Sequence, residues 1–283
     1  MDILEKINNC KEEELTTIID IILKNAIDNA EKKERLGFED GSVATVKIAP
    51  YKGFISPNSR IKYSNGSTNM YSMKTTDYIY EFAKYVKNNK IREKNTLVKY
   101  VENFKNVYFG ISNGNDMRDT YFNQIAWQTT KTDEEYFEKI NNLEIGELKG
   151  KNIAMCTERA AIAQNLLSLF GFEIYYCMGC INNNGKEEAH CFNIGRAKNN
   201  FVLLDYSLPV SVYENGKLVD YAPFQGIIEL DELEDILING INKNFTDYIY
   251  IITEEGIKKT YKNELRIYKV GNTTFEQNQS KNK

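Results

Sequence analysis

Residues 156–171 read Cys156-Thr157-Glu158-Arg159-Ala160-Ala161-Ile162-Ala163-Gln164-Asn165-Leu166-Leu167-Ser168-Leu169-Phe170-Gly171. Ala160, Ala163, Leu166, Leu167 and Phe170 recur at three- and four-residue steps, which is the spacing of one helical face. Gly171 is a natural C-terminal stop for that helix. Residues 172–181 then read as a strand, and Asn182-Asn183-Asn184-Gly185 is a hairpin turn signal. Residues 189–194 form the returning strand, 196–200 another turn, and 201–206 a third strand. Residues 245–269 read as one more hairpin, turning at Glu255-Gly256. One helix followed by strands adjacent in sequence predicts an α+β domain whose helix packs on an antiparallel sheet.

Upstream of this run the pattern is helical. Ile7, Leu15, Ile18, Ile19, Ile22, Leu23, Ala26 and Ile27 give a helix over residues 3–35, ended by Gly37 and Asp40-Gly41. Short β-like runs over 42–67 are interrupted by Pro50, Gly53, Pro57 and Gly66. A second helical stretch spans 75–106, with Tyr78, Phe82, Tyr85, Val86, Leu97, Val101 and Phe104 on one side. The polar, turn-rich residues 112–120 mark a boundary. The expected division is therefore a mostly helical region at 1–110, a catalytic domain at 111–270 and a frayed polar tail at 271–283.

Composition sets the outer limits. The chain has 283 residues, 42% of them apolar and 27% charged, which places it among folded globular proteins and not among disordered ones. Its formal net charge of −4 lacks the basic excess of a generic nucleic-acid binder. No run approaches the ~20 apolar residues of a membrane span, and the N-terminus lacks the basic-then-apolar pattern of a secretory leader. Five irregularly spaced cysteines (Cys10, Cys156, Cys177, Cys180 and Cys191) suit a reducing cytoplasm better than a disulfide framework. Abundant Lys and Asn with little Arg fit an AT-rich coding genome.

A single histidine, His190, restricts the chemistry. Multi-histidine zinc sites and an HExxH protease are excluded. A nucleophile–His–carboxylate arrangement remains open. Cys156 stands where the helical pattern begins, so the helix dipole and the first-turn N–H groups favour a reactive thiolate and offer oxyanion donors. His190 lies on the second strand and Asp205 near the end of the third. A same-face His and Asp can meet across neighbouring antiparallel strands. With the helix packed on that face through Ala160 and Ala163, Cys156 reaches His190. The arrangement is nucleophile, general base and orienting carboxylate.

Cys156-Thr157-Glu158-Arg159-Ala160, Leu166-Leu167, Gly171-Phe172, His190-Cys191-Phe192-Asn193 and Leu203-Leu204-Asp205-Tyr206 together resemble the transglutaminase-like core of the papain-like cysteine enzymes. The resemblance covers roughly residues 150–210. It implies Cys156 as nucleophile, His190 as base and Asp205 as orienter. Phe192 stands where Trp is commoner in that family. The family's further oxyanion donor lies upstream of the nucleophile, and Gln124, Trp127 and Gln128 are the candidates here.

The chemistry expected is acyl transfer through a thioester at Cys156. The acceptor decides the class. Water gives a cysteine peptidase or amide hydrolase, the expected outcome for a small, bacterial-looking chain without a calcium-loop pattern. An amine gives a transglutaminase, and a related alternative is a deamidase acting on protein glutamine side chains. A third alternative is a non-catalytic protein-binding module on the same fold. The implied partner is a peptide or protein substrate, with no nucleic acid, no membrane, and no metal or organic cofactor. The rival is a zinc site from Cys177, Cys180, His190 and Cys191. Strand alternation weighs against it by sending His190 and Cys191 to opposite faces, and there is no second CxxC. A redox pair at Cys177–Cys180 would end a strand instead of opening a helix.

Overall fold

A computed structural model describes residues 2–35, 51–62, 70–110, 131–135, 138, 144–183, 186–197, 200–214, 217–228, 243–245, 248–253, 256–261 and 266–270. Helices α1 (Ile3–Asn9), α2 (Glu12–Arg35), α3 (Asp77–Asn88) and α4 (Leu97–Phe109) come first, with short strands β1 (Tyr51–Lys52), β2 (Arg60–Lys62) and β3 (Met70–Ser72) between them. Helix α5 (Cys156–Leu169) follows. Strands β4 (Ile174–Asn183), β5 (Lys186–Ala197), β6 (Asn200–Glu214) and β7 (Lys217–Ile228) come next, then β8 (Lys243–Phe245), β9 (Tyr248–Thr253), β10 (Gly256–Tyr261) and β11 (Arg266–Val270). The architecture is α+β. The main sheet runs β7-β6-β5-β4-β11-β8, with β1 also on β4, and all its described ladders are antiparallel.

Helix α5 is the hub. Thirteen of its fourteen residues are buried, so it is enclosed on all sides instead of presenting one apolar face. Its start is capped by Glu158, whose Oε2 accepts the Met155 N–H at 2.8 Å. Its end closes with the Gly171 N–H on Ser168 O at 2.9 Å and the Phe172 N–H on Leu167 O at 3.0 Å, while Gly171 takes φ +76°. That closure requires the left-handed conformation glycine tolerates best.

Enclosure obliges the amide side chains of α5 to find partners. Gln164 Nε2 donates to Gly53 O at 2.7 Å and to Ile174 O at 2.9 Å. Asn165 Oδ1 accepts the Ile55 N–H at 2.6 Å, and its Nδ2 donates to Ile55 O at 3.1 Å and to Tyr78 Oη at 2.8 Å. On the sheet side, Asn193 Nδ2 donates to Ala160 O at 3.1 Å and Gln164 Oε1 at 3.0 Å. Phe170 packs edge-on to Phe82 of α3, ring centroids 5.6 Å apart. A single core therefore runs from Leu4 and Leu15 through Phe82 and Leu166 to Ile174 and Leu204, across the boundary expected near residue 110. The expected boundary at 112–120 and tail at 271–283 lie outside the described residues.

Three boundaries differ from the periodicity. The stretch expected as one helix over 3–35 is two, broken at Cys10-Lys11. Lys87 of α3 caps the end of α1 by donating to the carbonyls of Cys10 and Ile7, and Glu14 Oε2 accepts the Lys11 N–H at 2.8 Å to open α2. The stretch over 75–106 is also two helices. Helix α3 closes with the Ile91 N–H on Val86 O at 3.1 Å and Lys90 at φ +50°, a left-handed position without a glycine to announce it. The hairpin expected over 245–269 pairs β9 with β10 from Thr253↔Gly256, but β11 leaves it and joins β4. Strand β7 was not expected, although Asn215-Gly216 between β6 and β7 is a two-residue turn signal.

Removing the Asn165 amide would orphan both backbone groups of Ile55 in a buried place. Asn165→Ala is expected to lower stability by about 3 kcal/mol, read as a shift of the urea midpoint. A change below about 1 kcal/mol would show that this amide does not hold the 51–56 segment on α5.

Candidate active site

The site forms where one ladder ends. Strands β5 and β6 pair from Ala197↔Asn200 to Asn193↔Leu204. Continued by three residues, that register sets His190 opposite Ser207 and diagonal to Asp205, all on one face. The backbone ladder stops before them, and side chains take over. His190 Nε2 lies 2.6 Å from Asp205 Oδ2. The ring stacks on Phe192, two residues along the same face, with centroids 6.3 Å apart.

Asp205 is fully buried and His190 nearly so, at 0% and 9% exposure. On the far side of β6 the pairing with β7 shifts register between Asp205↔Phe224 and Pro209↔Pro223. Residues 206–208 are thus extra on β6, a bulge that releases Ser207 from the β7 ladder. The Ser207 N–H donates to Asp205 Oδ1 at 2.9 Å, its Oγ–H donates to the same oxygen at 2.6 Å, and its Oγ stands 3.3 Å from His190 Nε2.

Cys156 is the first residue of α5 and 7% exposed. Its thiol is close enough to the His190 ring to help raise that ring's pKa. With Nε2 turned to Asp205, Nδ1 is the nitrogen left for the thiol. Helix α5 does not lie on the His190–Phe192 side of β5, as the sequence led one to expect. It lies on the Cys191–Asn193 side, where Thr157 Oγ1 donates to Cys191 Sγ at 3.6 Å and Asn193 meets Ala160. Cys156 also helps raise the Cys191 thiol. The Cys156 thiol nonetheless acts on both His190 and Cys191, which stand on opposite faces of β5.

The segment leading into Cys156 is held by Arg159. Its Nε donates to Ala154 O at 2.9 Å and its Nη2 to Gly110 O at 2.8 Å, which ties α5 to the end of α4. Gly110, at φ +84°, is required there, since a Cβ would fall 1.8 Å from Asn152 Oδ1. Behind Asp205, the buried Lys105 bonds Glu102 Oε1 at 2.8 Å and donates to the Tyr206 carbonyl. Burial pushes the Lys105 ammonium down to about 8, partly offset by Glu102.

The electrostatics follow the geometry. Burial works against charge on His190, but Asp205 and Cys156 outweigh it and hold the ring well above its ordinary 6.5. Burial likewise opposes ionisation of Asp205, yet His190 and Ser207 hold it below its ordinary 3.8. Burial pushes the Cys177 and Cys191 thiols up, so neither is a reactive thiolate. Among the described residues no three His, Cys, Asp or Glu side chains are grouped to hold a metal ion. The Cys180 side chain and the oxyanion candidates Gln124, Trp127 and Gln128 lie outside the described residues. No described helix is long and apolar enough to cross a membrane. Ser207, Cys191 and Lys105 were not foreseen as neighbours of the three. Only Ser207 carried a local signal, the Asp-x-Ser spacing in which backbone and hydroxyl reach back two residues.

No protein-family model matches the chain, and no curated protein matches it.

The stability contribution of the His190–Asp205 pair has two edges. Asp205, held low, contributes in full above about pH 3.8 and loses its contribution as pH falls through its folded value. His190, held high, contributes in full below about pH 6.5 and loses its contribution as pH rises through its folded value. The difference in urea midpoint between wild type and Asp205→Asn is therefore expected to be largest from about pH 4 to 6.5 and to narrow on both sides. A difference that stays constant with pH would mean the two groups do not interact.

Proposed function

We propose that this chain is a thiol-dependent acyl-transfer enzyme with a transglutaminase-like core, a cysteine peptidase or amide hydrolase acting on a peptide or protein. One observation carries the reading: the chain's single histidine is bonded to a buried aspartate through one ring nitrogen, and the helix-start Cys156 is among the groups that hold its ring above the ordinary value. His190 thus has both an acid and a nucleophile as neighbours.

The chemistry is as follows. The Cys156 thiol gives its proton to His190, and Asp205 stabilises the imidazolium. The thiolate attacks the amide carbonyl carbon, forming a C–S bond. The oxyanion develops beside the first turn of α5, whose N–H groups a helix cannot satisfy internally. The C–N bond then breaks and His190 protonates the departing amine, leaving a thioester. Water, deprotonated by His190, attacks the thioester and releases the acid and Cys156. The scheme needs no metal or organic cofactor. It requires Cys156 to be reduced, which suits a cytoplasmic enzyme.

Cys156→Ala is expected to abolish hydrolysis of a fluorescent casein, and His190→Ala to slow iodoacetamide labelling of Cys156 at pH 7 by about tenfold or more. Ammonia released from casein glutamines without chain cleavage would assign a deamidase instead. Identical labelling profiles in wild type and His190→Ala would remove the ion pair and leave a binding module.

A further inference from the structure

We propose that Ser207 is a positioning residue of this site, clamping Asp205 so that His190 keeps its proton on Nε2 and offers Nδ1 to Cys156. The inference rests on the acyl-transfer reading and adds a fourth residue to it.

Asp205 Oδ2 is committed to His190 Nε2, and Oδ1 faces a fully buried interior. An ionised carboxylate has about four acceptor positions and is costly to bury with any left dry. Ser207 fills Oδ1 twice, with its N–H at 2.9 Å and its Oγ–H at 2.6 Å. The N–H is available because the 206–208 bulge takes Ser207 out of the β6–β7 ladder. In a regular strand that N–H would be spent on β7 or point away.

Two donors on one oxygen fix the carboxylate plane. The plane in turn fixes which oxygen meets the ring, and so which tautomer the ring adopts. The Ser207 Oγ also stands 3.3 Å from Nε2, so its lone pairs face the Nε2–H and disfavour a bare nitrogen there. The charged groups facing Asp205 are His190 from β5 and Lys105 from α4. Lys105 reaches the neighbouring Tyr206 carbonyl instead of a carboxylate oxygen. Among the described residues, Ser207 donates to Oδ1 through both its N–H and its hydroxyl.

The test compares Ser207→Thr with Ser207→Val in the full chain. Thr and Val share shape and differ in the hydroxyl, so any loss from added bulk is common to both. The first readout is the rate and pH profile of iodoacetamide labelling at Cys156, followed on its own peptide by mass spectrometry. The second is the nitrogen shifts of the imidazole, unambiguous because His190 is the sole histidine.

Ser207→Thr is expected to label several-fold faster than Ser207→Val, and Ser207→Ala about tenfold slower than wild type. The acid edge of labelling should rise by about one pH unit in the Val and Ala variants, because Asp205 protonates more easily without the hydroxyl. The neutral ring should gain Nδ1–H tautomer in those two variants alone. Equal rates, edges and tautomers in Thr and Val would overturn the role of Ser207, and the acyl-transfer reading would stand if His190→Ala still slows labelling. His190→Ala labelling as fast as wild type would remove both.

Discussion

Burial of α5 on every side is the constraint from which the rest of the architecture follows. A helix with one wet face can leave its polar residues in water. This one cannot, so Arg159, Gln164 and Asn165 each require fixed partners. Those partners come from Ala154 and Gly110, from Gly53 and Ile174, and from Ile55 and Tyr78. The helix is thereby fastened to the N-terminal segments, to β4 and to its own entry loop. Removing one partner would leave buried donors dry, which is why the N-terminal helices and the sheet form one core.

The same fastening locates the thiol. Arg159 holds the backbone just ahead of Cys156 through Ala154, while Glu158 caps the helix through Met155. Asn193 holds the body of the helix on β5 through Ala160 and Gln164. The first residue of α5 consequently stops level with the end of the β5–β6 ladder. There the strands no longer exchange backbone hydrogen bonds, and the gap is bridged by a histidine–aspartate contact of 2.6 Å.

The bulge on β6 and the buried Lys105 act on the other side of the gap. The bulge turns the Ser207 N–H toward Asp205, and Lys105 fixes the Tyr206 carbonyl between them. Helix α4 therefore supports both halves of the site. It holds Tyr206 through Lys105 and the cysteine segment through the bond from Arg159 to Gly110.

By itself the sequence determined the elements whose signals are local. The helix opening at Cys156, its stop at Gly171 and the antiparallel pairings of β4 with β5 and of β9 with β10 were legible, because capping, αL glycine and short turn signals act over a few bonds. So was the order of a helix-start cysteine and a strand histidine, while Asp205, expected near a strand end, lies inside β6, which continues to Glu214. The break at Cys10 was not, because it is made by Lys87 from another helix. The break after Asn88 was not, because Lys90 takes a position where glycine is the usual sign. The side of β5 that α5 covers was misread, since a strand buried on both faces gives no alternation to distinguish them. Where the β5–β6 ladder stops, which residues bulge against β7 and which strand β11 joins were decided by tertiary structure alone. Each depends on pairing between segments distant in the chain, and register and twist between such segments leave no mark on either one.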